Sequence, residues 1–332
     1  MDTQQVYMVC VECMTFNHHS FILDSMNGFC IQETEFPYVC VIMDDCSTDG
    51  EQEVIKRYYQ DYFNLLSEEE TEDYVLNFGR HKTNKNCYFA VFYLKYNHYL
   101  KKKDKTPYYA SWQDNCKYIA LCEGDDYWID ENKLQRQVEA LEKHPECTCS
   151  GHGFITRYQH NNDEIDLTIY DNGSDSFIFS INDFCKKWVL KTLTCLYRKE
   201  VFQQYTLKKY KYAKDVTLQY HALKMGNGIY FAQPMGVYNV QDGGVWSSVS
   251  KKKRAIGDYY TYKELYIQND KDVIIKPIFC RVVRVLMCCE TNLIRKFSLL
   301  KEYLSLADNC KLRIKGLIAF PYSMVFRHKY SD

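Results

Sequence analysis

The apolar positions of this chain fall into short runs that alternate with helix-spaced stretches. Val6 to Cys13 (VYMVCVEC) is a β-rich run. In residues 18 to 31, Ile22, Met26, Phe29 and Cys30 recur at helical spacing. A second run covers Tyr38 to Met43, after which Val54, Ile55 and Tyr58 mark one face of another helix. Tyr118 to Leu121 is a third run and predicts a buried strand. Lys133 to Leu141 predicts a helix that stops near His144-Pro145, because a residue before proline is pushed out of the helical region. Residues 87 to 100 carry Tyr88, Phe89, Phe92, Tyr93 and Tyr96 and are read as a helix packed on the sheet. The charge runs Ser67 to Asp73 and Lys101 to Lys105 are expected in solvated loops or helix ends. Residues 151 to 250 complete the sheet. Residues 251 to 310 predict helices, with Lys251-Lys252-Lys253-Arg254 opening one and Val282, Val283, Leu286, Met287, Leu293 and Ile294 lining another. The pattern is α/β with a helical C-terminal extension.

Composition changes this picture little. A chain of 332 residues has room for a large catalytic domain and an extension. A net charge of −1 gives no electrostatic reason to expect nucleic acid. Thirty tyrosines supply stacking surfaces as well as core. Sixteen cysteines call for a redox reading. Met1-Asp2-Thr3-Gln4-Gln5 has no basic start and the apolar run after it is short, so a secretory signal is not expected and the thiols are expected free. Cys10-x-x-Cys13 has metal-ligand spacing, but on a strand these side chains face opposite sides. No apolar stretch reaches ~18 residues, so no membrane span is expected. Lys311 to Lys329 mixes Lys311, Arg313, Lys315, Arg327 and Lys329 with Leu312, Ile314, Leu317, Ile318, Phe320 and Phe326. It is read as a terminal helix interrupted at Pro321, with an anionic membrane surface as the alternative partner.

The candidate chemistry sits where the apolar runs end. Thr15 to Asn17 follows the first run, Asp44-Asp45-Cys46-Ser47-Thr48-Asp49-Gly50 the second, and Glu123-Gly124-Asp125-Asp126 the third. Open α/β sheets bind ligands beyond the carboxyl ends of their strands. Clustered carboxylates repel unless a cation or proton neutralises them. Hard oxygen ligands suit Mg²⁺ or Mn²⁺, ions that commonly accompany phosphate. The plainer alternative is an acidic helix N-terminus favoured by the helix dipole. No G-x-G-x-x-G and no P-loop pattern occurs, which removes the main support for dinucleotide and kinase-like readings. A nucleotidyltransferase would want a basic, Gly-rich loop near the first strand, and residues 13 to 20 have none.

The segments MTFNHHSFILDSMNGFCIQ, VIMDDCSTDG, YIALCEGDDYWIDENKLQRQVEALEKHPE and AKDVTLQYHALKMGNGIYFAQPMGVYNVQDGGVWSS occur in the order found in family 2 glycosyltransferases. Over roughly residues 5 to 250 the chain resembles that family. The resemblance implies a Rossmann-like GT-A domain over 1–250, with a mixed central sheet flanked by helices, plus the helical extension 251–332. Residues 1–150 would be the nucleotide-sugar-binding half and 151–250 the acceptor side. It implies an inverting transfer of sugar from a nucleoside diphosphate sugar, UDP-linked, to the hydroxyl of a glycan or lipid-linked glycan in surface polysaccharide synthesis. Mn²⁺ or Mg²⁺ is the implied cofactor.

Residue by residue, Asp125 is the implied metal ligand, with Glu123 and Asp126 beside it in the donor site. Asp44 and Asp45 would bond the base or ribose, and Thr15 and Asn17 stand where the family contacts the nucleoside. Asp215 opens a helix where the family carries an acid, which makes it the implied general base; Lys214 beside it would lower its pKa. Trp128, Gln241 and Trp246 are acceptor-side or diphosphate candidates, Trp128 being equally readable as a core anchor. His152 and Thr194 are weaker acceptor-side candidates. Asn239 and Gln241 depart from the family, whose members often carry Arg and His there, so positive charge is lost from a diphosphate site. The run Lys251 to Arg254 is a candidate source of replacement charge. The departure keeps open a catalytically inactive nucleotide-sugar-binding or scaffold protein. The expected location is cytoplasmic or at the inner face of the membrane, with peripheral contact through the basic tail.

Overall fold

The computed structural model describes residues 6–159, 164–170, 172–184, 190–204, 209–241 and 249–325. Its first elements follow the pattern: β1 (Tyr7–Thr15), α1 (Ile22–Cys30), β2 (Tyr38–Asp44) and α2 (Glu51–Tyr62). All seven residues of β2 are buried, as suits a parallel strand covered on both faces. α1 buries Ile22, Met26 and Phe29. Gly28 is required on the same face, because a Cβ there would lie 2.7 Å from the Trp128 carbonyl oxygen.

The next segment departs from expectation. Residues 63–94 form a meander of β3 (Phe63–Glu70), β4 (Tyr74–His81) and β5 (Cys87–Leu94). The predicted helix over 87–100 is therefore mostly strand. All eight β5 residues (CYFAVFYL) are buried. A run that is apolar at every position has no period, so only its length and its aromatic and β-branched content distinguish strand from helix. The acidic run also differs: Ser67 to Glu70 is the exposed end of β3.

The chain continues through α3 (His98–Lys101), α4 (Thr106–Asp114), β6 (Cys116–Leu121), β7 (Tyr127–Trp128), α5 (Lys133–Lys143), β8 (Cys147–Tyr158), β9 (Glu164–Thr168), β10 (Ser176–Phe179) and α6 (Ile181–Phe184). β11 (Leu196–Arg198), α7 (Glu200–Gln204), α8 (Asp215–Met225) and β12 (Asn227–Val240) follow. The strands form one mixed sheet in the order β10-β12-β8-β11-β6-β1-β2-β5-β4-β3, with β7 on β12 and β9 on β8. β6, β1, β2 and β5 run parallel, as do β8 and β12. The three-residue β11 joins these two parallel sets, antiparallel to both β6 and β8. Helices flank the sheet.

The chain divides into two compact units. The first comprises residues 1–180, 189–204 and 222–240 and contains the sheet. Its core has two clusters, one around Val9, Val11, Ile42, Phe89 and Trp128, the other around Val39, Val41, Phe92 and Ile119. Cys13 belongs to the former and Cys10 to the latter, on opposite faces of β1. The described cysteines are free thiols. The second unit comprises 181–188, 205–221 and 241–332. Its helices are α9 (Lys251–Gln268), α10 (Lys276–Cys289), α11 (Leu293–Leu306) and α12 (Cys310–Val325). Ser250 caps α9 by accepting from the Lys253 amide, and Asn292 caps α11 by accepting from the Arg295 amide at 3.0 Å. Leu265, Phe279, Val283, Leu286 and Met287 are buried. α12 continues through Pro321 instead of stopping there. No described helix is long and apolar enough to cross a membrane.

Candidate functional site

Parallel pairing brings the ends of β1, β2 and β6 together: Thr15 pairs with Asp44, and Glu12 with Leu121. Thr15 is buried and its hydroxyl donates to the Glu51 carboxylate; His18 Nδ1 lies 3.2 Å away. Glu51 also accepts from the His18 amide and the Ser47 hydroxyl, both at 2.8 Å. Burial pushes the Glu51 carboxyl up, while Thr15, the His18 amide and Ser47 pull it back. Asn17 has a φ of 57°, a conformation that asparagine tolerates better than most residues. It spans the β1 and β2 loops, donating its amide to Ser47 Oγ at 2.9 Å and accepting from the Thr48 amide at 2.8 Å.

Asp44 and Asp45 behave differently although adjacent. Asp44 Oδ2 accepts from the Ser47 amide and from Gln52. Its other oxygen is buried without a hydrogen-bond partner, and burial raises the carboxyl. Asp45 instead holds the next loop: it accepts from the His98 amide at 2.6 Å, the Tyr99 amide at 3.1 Å and the Lys105 ammonium at 3.0 Å. Asp44 thus has an unused acceptor, whereas both oxygens of Asp45 are engaged.

The acidic turn after β6 is bound tightly to this platform. The Gly124 amide donates to the Met14 carbonyl at 2.9 Å, and Ser25 Oγ donates to the carbonyls of Gly124 and Asp126 at 2.9 and 2.7 Å. A Cβ on Gly124 would lie 2.2 Å from Thr15 Oγ1, so only glycine lets the turn sit this close. Glu123 is exposed. Asp125 is half-buried, with Oδ2 3.9 Å from His18 Nε2. Asp126 is buried and accepts from the Asn239 amide at 3.0 Å. Burial, then repulsion from Asp125, raises its carboxyl well above the usual range; the Asn239 amide and the Lys191 charge oppose this. Asn239 also donates its side-chain amide to the Asp125 carbonyl at 2.6 Å. Asn239 therefore fixes the acidic turn from the end of β12.

Lys191 supplies positive charge near Asp126, and its ammonium lies 3.6 Å from the centre of the Tyr238 ring. Of the run expected to supply charge, Lys252 pairs with Glu290 at 3.0 Å.

Trp128 is 1% exposed. Its indole N–H donates to the Leu193 carbonyl at 2.9 Å, Phe29 packs edge-on at 5.0 Å, and the buried Lys133 ammonium stands 3.9 Å over the ring. This corrects the acceptor-side expectation: Trp128 anchors the core and has no face for a sugar. His152 is likewise buried, with Nδ1 2.7 Å from the Gly153 carbonyl, and Thr194 is buried. Asp215 is the exposed first residue of α8, in the second unit. Its neighbour Lys214 places its ammonium 2.8 Å from Asp258. Gln241 is half-buried and follows β12. Trp246, with Gly243 and Gly244, lies outside the described residues, as do Phe326, Arg327 and Lys329 of the tail.

The sequence reading missed Glu51, His18, Ser25, Lys133 and Lys191 as parts of the site or its support. Only Glu51 left a signal. It opens α2 directly after Gly50, whose φ of 90° favours glycine, but an acid in a first helical turn ordinarily reads as an exposed dipole partner. Its contact with Thr15, 36 residues away, is tertiary.

Asp125 offers a single half-buried carboxylate at the acidic turn. Among the described residues no three His, Cys, Asp or Glu converge into a metal-binding group, so the protein forms no cage of its own there. One carboxylate, completed by water and phosphate oxygens, is how Mg²⁺ is commonly held at nucleotide sites.

No family model matches the chain. Uncharacterized proteins of Mycobacterium bovis and Mycobacterium tuberculosis are 32% identical over 146 residues, 44% of this chain and 35% of each relative. The matched region thus spans about a third of their length. Among solved structures, S. aureus TarS 1-349 in complex with UDP-GlcNAc aligns over 97% of this chain and 92% of its own, with a TM-score of 0.58 and 14% identity. The same protein in complex with UDP aligns over 96% and 88%, with a TM-score of 0.57 and 13% identity. At these identities the likeness concerns the fold alone: a mixed central sheet flanked by helices, followed by a helical C-terminal region, shared with a protein crystallised with a nucleotide sugar.

Proposed function

We propose that this chain is an inverting, metal-dependent glycosyltransferase of the family 2 type. It would move a sugar from a UDP-linked donor to a glycan or lipid-linked glycan hydroxyl, in surface polysaccharide synthesis. The observation that carries the reading is the convergence of Thr15, Asp44 and the Glu123–Asp126 turn at the ends of three parallel strands. The likeness to a fold crystallised with UDP-GlcNAc and UDP supports the donor class.

A divalent ion, when bound, would neutralise the leaving diphosphate as a Lewis acid, and Asp125 is the residue to hold it. The chain's own groups do the rest. Asn239 and Ser25 hold the acidic turn rigid, so that Asp125 meets its ligand without reorganisation. Asp44 offers its unused oxygen, and Asn17 its loop, to the nucleoside. Lys191 contributes the positive charge that Asn239 and Gln241 lack. Asp215 accepts the proton of the attacking hydroxyl, and a single displacement inverts the anomeric centre. The neutral amide at Asn239 favours one second reading, a nucleotide-sugar-binding protein without transfer. Release of free sugar from the donor, without acceptor, separates the two.

The test is thermal unfolding with UDP, GDP and dTDP, with and without Mn²⁺, on the wild type and Asp125→Ala. A ligand at 100 times its Kd stabilises by about 2.7 kcal/mol. UDP is expected to raise Tm in a Mn²⁺-dependent manner, and Asp125→Ala to abolish the rise. No shift with any nucleotide would overturn the reading.

A further inference from the structure

We infer that the second unit carries a separate binding cleft for a neutral oligosaccharide, beside Asp215. Its role as the acceptor site rests on the transferase reading; its existence as a glycan site does not. The cleft has a volume of about 650 Å³ and is lined by Tyr212, Tyr260, Lys263, Glu264, Arg295 and Glu302, among others. That is the size of a small-molecule site.

Three features specify the ligand. The first is a ring platform: Tyr212 and Tyr260 stack at 4.7 Å with planes 19° apart, and Tyr259 meets Tyr260 edge-on at 5.3 Å. Tyrosine rings present an apolar face and a polar edge, matching the C–H face and hydroxyl rim of a pyranose. The second is charge balance. Lys263 donates to Glu302 at 3.0 Å and to the Tyr259 hydroxyl at 2.7 Å; Arg295 lies 3.4 Å from Glu290; Glu264 accepts from the Lys211 and Tyr212 amides at 2.8 Å each. The cations are matched by carboxylates, so the cleft favours a hydroxyl-rich neutral ligand over a polyanion. The third is exposure. Ile267, in the lining, is 54% exposed, and Tyr259, Tyr260, Lys263, Glu264 and Ile267 recur along one face of α9.

The same contacts place the cleft near the proposed base. Glu264 pins the backbone of Tyr212, and three residues of chain reach at most about 11 Å, which keeps Asp215 close to the ring platform. Lys214 is held to Asp258, the residue before Tyr259. The loop bearing Asp215 and the cleft are therefore one tethered assembly.

The experiment is calorimetric titration of the full chain with three probes: a β-1,4-linked N-acetylglucosamine tetrasaccharide, an α-1,4-linked glucose tetrasaccharide and a sulfated heparin tetrasaccharide. Binding of at least one neutral probe is expected, weakened about tenfold or more by Tyr260→Ala and by Ile267→Arg and kept by Ile267→Leu. Ile267→Arg changes a surface position, so its loss of binding with an unchanged circular dichroism spectrum cannot be ascribed to unfolding. Binding of neither neutral probe, or binding indifferent to both variants, or binding of the sulfated probe alone, would overturn the cleft. A parallel UDP titration of the wild type reports the donor reading independently, so either can fail without the other.

Discussion

Lys133 carries its amino group inside the protein, 3.9 Å over the Trp128 ring and 2.7 Å from Gln137 Oε1. Burial lowers its pKa to about 7, against smaller opposing effects of Cys122, Cys195 and Asp130. Its folded pKa thus lies below the unfolded value of 10.5. Between these two values the unfolded chain holds a proton that the folded chain lacks, so stability rises with pH there; below about 7 both states are protonated and the slope vanishes. Urea denaturation between pH 7.5 and 9.5 should show Lys133 adding up to about 1.4 kcal/mol of stability per pH unit. Lys133→Met should remove that increment; identical slopes in the two proteins would refute the assignment. At this scale the sequence disclosed which residue types matter but not their surroundings. Asp44 and Asp45 look equivalent in DDCSTDG, yet one has an unpartnered oxygen and the other closes the 97–105 loop. Trp128 could be floor or anchor until the Leu193 carbonyl, 65 residues away, decided it. Such choices depend on distant partners, which local spacing does not encode.

Elements were legible where a short apolar run ends in polar residues or where helical spacing recurs. β1, β2 and β6 follow from the former, and α1, α2 and α5 from the latter. The β3–β5 meander did not, because β5 is apolar throughout and β3 mostly polar. β3 closes one end of the described sheet and exposes Leu65 and Leu66 on it. An edge strand of that kind invites pairing with another copy, and charge is the usual deterrent. Glu68, Glu69 and Glu70 occupy the same strand and are exposed. The double variant Glu68→Val, Glu70→Val should therefore self-associate at concentrations where the wild type scatters no excess light, with its circular dichroism unchanged. Unaltered scattering would show that the acids are incidental to the edge.

At the scale of the molecule, the sequence indicated a sheet-bearing part and a helical part. It did not indicate that 181–188 and 205–221 belong with the helices, because such membership is set by packing. α12 exposes Ile314, Leu317 and Ile318 together with Lys311, Arg313 and Lys315. Apolar side chains flanked by cations bind anionic bilayer surfaces through both terms. The full chain should co-sediment with phosphatidylserine-containing vesicles and not with pure phosphatidylcholine, and Ile314→Asp with Ile318→Asp should abolish it. Equal recovery with both lipids, or no effect of the variants, would remove α12 as a membrane contact.

The narrow β11 bears on how this molecule is made. The β1–β2–β5–β6 set is assembled from neighbouring stretches of chain. The β8–β12 ladder must wait for β12, since Cys147 pairs with Asn227 and the chain of β9, β10, α7 and α8 lies between them. Closing so long a loop costs entropy before any ladder bond is returned, which makes that pairing a late event. The three residues of β11, and the two of β7 through β12, then join the late half to the early one. Asn239, on the late half, completes the acidic turn of the early half. A nascent chain would therefore lack the Asn239 bonds to its acidic turn until synthesis had passed residue 240.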